Sequence, residues 1–109
     1  MTLRNGKVDP NVDTVTVVNS PGAIVEVAVN YAVPGNVGTV LMSAAGGART
    51  VTITPTAENH TQIVYVQKSD NSANGVSISD GTTVYRVLNQ QKQVQAVQVD
   101  FDLNTLILI

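Results

Sequence analysis

Apolar and polar residues alternate one for one in short runs along this sequence, and the three-to-four spacing of an amphipathic helix is hard to find anywhere. Alternation sends successive side chains to opposite faces of an extended chain, so it dictates strands that offer one face to a core. The residues filling the runs agree with the period. The 109 residues include 20 valines and 12 threonines, against one phenylalanine, three tyrosines and no tryptophan. β-Branched side chains are stiff at the first torsion and pack well on a pleated surface. The core must therefore be thin and aliphatic, and such a core gains from burying further surface in an oligomer.

The runs can be placed one by one. A first strand is expected over residues 12–19, with Val15 and Val17 on one face and Thr14 and Thr16 on the other, closed by the turn Ser20-Pro21-Gly22. Residues 24–31 put Val25, Val27, Val29 and Tyr31 on a common face, and Pro34-Gly35-Asn36 breaks the run. Residues 37–43 form a third, stopped by the Gly46-Gly47 turn. Residues 49–54 form a fourth, with Val51 and Ile53 inward, ended by Pro55. Residues 61–68 are apolar on both faces, the pattern of a central strand or of one covered by a partner.

Asn74-Gly75 is a turn signal, and Asp80-Gly81 reads as a hairpin between residues 76–79 and 82–88. In residues 92–101 the apolar parity switches between Val94/Ala96 and Val97/Val99/Phe101, which predicts a β-bulge. Residues 103–109 end in Leu106-Ile107-Leu108-Ile109, a strand expected to be clamped within a sheet or between subunits. Eight or nine short strands at roughly 8–12-residue spacing predict an all-β fold, a single antiparallel β-sandwich of the jelly-roll kind. Residues 12–109 form that domain, and residues 1–11 are an N-terminal arm.

Six basic and eight acidic residues give a net charge of −2, so nucleic acid binding has little electrostatic footing. No run of apolar residues is long enough for a membrane-spanning helix, and no apolar stretch follows Arg4 and Lys7 as a secretion signal requires. Without cysteine there is no disulfide and no thiolate-bound metal. His60, the one histidine, has only Glu58 near it in sequence and reads as a solvated loop residue; no catalytic set is apparent and no enzyme is expected. Asp100 and Asp102 are two apart and would share a strand face, but calcium wants six or more oxygens, and no dense acidic loop supplies them. Gly46-Gly47 lacks the spacing and lysine of a phosphate loop. Asn59-His60-Thr61 matches the glycosylation triplet, which matters only in a secreted eukaryotic protein. No cofactor is expected.

Residues 64–78 carry a more informative pattern: the strand Val64-Tyr65-Val66-Gln67-Lys68, the turn Ser69-Asp70-Asn71-Ser72-Ala73-Asn74-Gly75, then Val76-Ser77-Ile78. This resembles a strand–turn–strand unit of phage virion β-domains of the head-fibre, decoration and tail-fibre type. Asp80-Gly81, residues 84–88, Gln90-Gln91-Lys92-Gln93, residues 94–99 and residues 105–109 follow the order of that family, so the likeness covers roughly residues 49–109. Leu106 stands where the family often carries tryptophan. In the turn, Asp70, Asn71, Ser72 and Asn74 can hydrogen-bond their own backbone, while Lys68 is expected as a solvated charge at a strand end.

The resemblance implies a structural protein of a bacteriophage particle, a capsid decoration, cement or fibre-type subunit. Its expected partners are two further copies in a homotrimer and other virion proteins, the major capsid protein among them, with no nucleic acid and no membrane. It would be located in the virion, assembled in the host cytoplasm. Ile63, Tyr65, Leu106, Ile107, Leu108 and Ile109, from the doubly apolar runs, are the candidate subunit interface. Leu3, Arg4 and Lys7 are candidate capsid contacts, on an arm that orders on the capsid or else frays. The alternative is a host-surface or glycan-binding module, for which exposed tyrosines would be the mark.

Overall fold

The computed structural model describes residues 23–109; the strand expected over residues 12–19 and the arm expected over residues 1–11 lie outside the described residues. Nine strands are formed: β1 (Ala23–Val27), β2 (Tyr31–Ala32), β3 (Val37–Met42), β4 (Arg49–Thr52), β5 (Ile63–Lys68), β6 (Val76–Ser79), β7 (Val84–Leu88), β8 (Val94–Asp100) and β9 (Thr105–Leu108). Sheet A has five strands in the order β1-β3-β5-β8-β9, and sheet B has four in the order β2-β4-β6-β7.

From β1 to β6 the chain changes sheet at every connection. A strand returning to its own sheet has passed through the other one and enters running the same way. Accordingly β1–β3, β3–β5, β2–β4 and β4–β6 are parallel pairs. Parallel neighbours need a long crossover, and here a strand of the opposite sheet supplies it. The Asp80-Gly81 hairpin makes β6–β7 antiparallel, and this reversal brings β8 back antiparallel to β5. A second tight turn makes β8–β9 antiparallel. The fold is therefore all-β with two sheets, but the expected purely antiparallel jelly roll is corrected to mixed sheets. Alternation fixes which face is buried; the connections fix direction.

The core lies between the sheets. On sheet A its rows run Val25–Val40–Val66–Gln95, Val27–Met42–Lys68 and Val64–Val97–Leu108, and on sheet B Val51–Ile78 and Val76–Leu88 face them. Val51 and Ile53 point inward as their alternation requires. The bulge expected in residues 92–101 is absent, since β5 and β8 pair in unbroken register. Gln95 takes the inward place between Val94 and Ala96 and is almost fully buried. Its Nε2 donates to the carbonyls of Ala96 (2.8 Å) and Ile109 (3.1 Å), and its Oε1 accepts from Arg86 (3.1 Å), so its burial leaves no polar atom stranded. Register shifts occur instead at Ala23/Ile24 and Ile78/Ser79. The second adjoins the hairpin, where Gly81 sits at φ 102° and Asp80 Oδ1 accepts from the backbone N–H groups of Thr82 and Thr83.

Candidate functional site

The register of sheet A decides what its outer face presents. One lateral row reads Ile24–Thr39–Tyr65–Ala96, reaching Ile109, whose N–H donates to the Ala96 carbonyl (2.9 Å). A second reads Glu26–Leu41–Gln67–Val94, and a third Ile63–Gln98–Ile107. Ile24, Ile63, Tyr65, Val94, Ile107 and Ile109 are exposed, between 41% and 67% of their full surface. Glu26, on the edge strand β1, is the single formal charge in the three rows. Five strands about 4.8 Å apart, with about three outward side chains each, make a patch on the order of 400 Å². That falls within the range of roughly 300–600 Å² of a monomer's largest apolar patch, which is often functional. The outer rows of sheet B, Ala32–Thr52–Ser79–Val84 and Thr50–Ser77–Val87, mix the hydroxyls of Thr50, Thr52 and Ser77 with the exposed Val84 and Val87, and Ser79 is buried.

Of the residues expected at a subunit interface, Ile63, Tyr65, Ile107 and Ile109 stand together on the outer face of sheet A. Leu106 does not belong with them: it points inward opposite Val99 and is buried at 4% exposure. Leu108 also points inward, opposite Val97, yet stays 42% exposed. Ile24, Leu41 and Ala96 share the patch unforeseen; their parity was readable, but which strands lie beside them was not. Leu3, Arg4 and Lys7 lie outside the described residues.

At one end of this face Tyr65 and Ile63 border an open depression of about 570 Å³ that also involves Glu58, His60, Thr61 and Gln62. His60 is less free than a solvated loop histidine. Its Nδ1 accepts the Phe101 N–H (3.0 Å), and its Nε2 lies 3.8 Å from the Asp102 carboxylate, so it ties its loop to the β8–β9 turn. Thr61 holds a left-handed φ of 70°, a costly conformation for a β-branched residue. Gln62 Nε2 donates to the carbonyls of Pro34 (3.0 Å) and Val37 (2.8 Å), and its buried Oε1 has no partner among the described residues. Asn59 is buried, with its Nδ2 donating to the Thr54 carbonyl (2.9 Å), so the glycosylation triplet presents no free amide. Asp100 accepts from Leu103 N–H in the turn, and no group of three metal-binding side chains converges among the described residues.

The largest departure from expectation is Lys68. It follows Val64 and Val66 on the inward parity of β5 and is fully buried rather than solvated. Its Nζ donates to Asp70 Oδ1 (2.9 Å), to the Asp70 carbonyl (3.3 Å) and to Ser72 Oγ (3.3 Å). The turn residues satisfy a second loop as well as themselves. Asp70 Oδ1 accepts the Ala44 N–H (2.7 Å), while Ser72 Oγ (3.1 Å) and Asn74 Nδ2 (2.8 Å) donate to the Ala44 carbonyl. Hydrogen bonding from Ser72 and then the Lys68 ammonium hold the Asp70 carboxyl well below the usual range, against an opposing push from burial. The cluster is a clamp between two loops.

Comparison with protein-family models, with curated proteins and with solved structures finds no match to this chain.

Proposed function

We propose that this chain is a structural subunit of a bacteriophage particle, a capsid decoration, cement or fibre-type protein that acts through protein–protein contacts and performs no catalysis. The observation that carries the reading is the outer face of sheet A, where Ile24, Ile63, Tyr65, Val94, Ile107 and Ile109 are exposed together and Glu26 is the one charged side chain in the three rows. A face of that composition supports burial against another protein, since water gains nothing from it. Near-neutrality favours copies of the same chain, because a symmetric contact repeats every charge beside itself. The stoichiometry proposed is a homotrimer within the virion, with the major capsid protein as a further partner. Two measurements test this. The purified protein is expected to assemble in multiples of three by light scattering at micromolar concentration, and to add to particles that lack it. A stable monomer, or no uptake by such particles, overturns the reading.

A second reading, a module that binds a glycan or host surface, is favoured by Tyr65, half exposed beside a depression rimmed with Glu58 and His60. Sugars stack on exposed rings and take hydrogen bonds from polar neighbours. An array of glycans that returns no binding, or binding unaffected by Tyr65→Ala, counts against it.

A further inference from the structure

Strand β9 is the less protected edge of sheet A. In the antiparallel β8–β9 ladder the hydrogen-bonded partners are Thr105 with Asp100 and Ile107 with Gln98, in phase with the Ile109 N–H to Ala96 bond. The backbone N–H and C=O groups of Leu106 and Leu108 therefore point away from β8, and no other strand among the described residues meets them. Among the devices that protect an edge are a charge, a proline and a bulge, and Thr105–Leu108 has none of these three, its four-residue length being its one protection. The opposite edge of the sheet, β1, has both a register shift and Glu26. In addition, the inward side chain of Leu108 is partly uncovered, at 42% exposure.

A strand added here must be apolar on both faces, to cover Leu108 on one side and Ile107 on the other. β9 itself has that pattern; β3 and β5 have neighbours on both sides, and the edge strands β1 and β7 carry Glu26 and Arg86. We infer that β9 pairs antiparallel with β9 of a second copy of this chain, joining two five-stranded sheets into one continuous sheet about a two-fold axis. The phase of the ladder requires the outward groups of Leu106 and Leu108 to meet those of the partner strand. The register that pairs the whole of residues 105–109 has Leu106 exchanging backbone hydrogen bonds with the partner's Leu108 and Ile107 opposite its own copy on the axis. This two-fold contact rests on the reading of the chain as a contact protein, but uses the sheet edge rather than the outer face, so the two can be separated.

Amide hydrogen exchange on the full chain, followed residue by residue by NMR, tests the pairing together with solution mass. The Leu106 and Leu108 amides are expected to be protected as strongly as that of Ile107, under conditions where the mass is an even multiple of the monomer. Leu108→Pro removes an N–H that the β8–β9 ladder does not use, and is expected to halve the mass while the circular dichroism stays that of the parent. Leu108→Lys keeps the N–H but adds a charge to the edge, and is expected to do the same should the proline variant fail to fold. An oligomer in which the Leu106 and Leu108 amides exchange freely overturns the edge pairing and leaves contact through the outer face standing. Folded variants of unchanged mass overturn it equally, whereas a monomer with free edge amides overturns both contacts.

Discussion

A buried ammonium is tolerated only when every one of its protons finds an acceptor, and Lys68 meets that condition through Asp70 and Ser72. The pair holds two loops together, so breaking it by truncation should cost far more than replacing it by shape. Lys68→Ala is expected to lower stability by on the order of 3–5 kcal/mol in urea unfolding, and Lys68→Met, which fills the same space, by clearly less. The carboxylate side of the pair appears in acid. Asp70, and in the same direction Asp80, have folded-state pKa values below the unfolded value, Asp80 through the backbone N–H groups of Thr83 and Thr82. A depressed carboxylate contributes stability that is present above the unfolded pKa, about 3.9, and drains away as pH falls beneath it. Thermal melts should therefore be flat from neutrality to about pH 5 with respect to these groups and fall steeply below about pH 4. Asp70→Asn retains an acceptor for the Ala44 N–H but cannot titrate, so its melting temperature should fall less over the same acid interval.

Strand by strand, the consequences follow from which side of a sheet a residue faces. Leu106 and Leu108 are two apart on β9 and point the same way, but only Leu106 lies over the core. Leu106→Ala is expected to cost about 2–4 kcal/mol and Leu108→Ala about 1 kcal/mol, both read from denaturant midpoints; equal costs would mean that β9 is covered along its whole length. Gly75 is a second element-level constraint. A Cβ there would stand 2.7 Å from Val87 Cγ1 across the β6–β7 pair, so Gly75→Ala should cost about 0.5–1.5 kcal/mol by pushing the Val87 side chain off its rotamer. These same elements show what could be read from the sequence. Val51 and Ile53 were legible as core because alternation is a local property, whereas Val64 and Val66 stand in a run apolar on both faces, where alternation does not say which face is inward. Lys68 was not legible as core, since a lysine at a strand end looks solvated until the distant Ala44 loop arrives to complete its clamp. Gln95 misled for a related reason: an inward amide reads as a change of parity unless its partners on Arg86 and Ile109 are known.

For the whole molecule the sequence was silent on direction, because parallel and antiparallel strands share one alternation and differ only in the path between them. It was equally silent on which outward residues are neighbours. Ile24 and Ile63 are far apart in the chain and come onto one face only through the β1–β3–β5 order. That assembled face is where association should be decided. A glutamate placed at Ile63 or Tyr65 points into solvent in the monomer, so each substitution should change stability by less than about 0.5 kcal/mol. In a symmetric assembly the same glutamate recurs across the contact in an apolar setting, where it is both desolvated and faced by its own copies. Ile63→Glu and Tyr65→Glu are therefore expected to reduce the solution mass, measured by light scattering, while leaving the melting temperature within a few degrees of the parent once allowance is made for lost association. Thr50→Glu and Ser77→Glu make the matching change on the outer face of sheet B. If contact is confined to sheet A they should alter neither mass nor melting, and a fall in mass for them alone would move the interface to the other side of the sandwich.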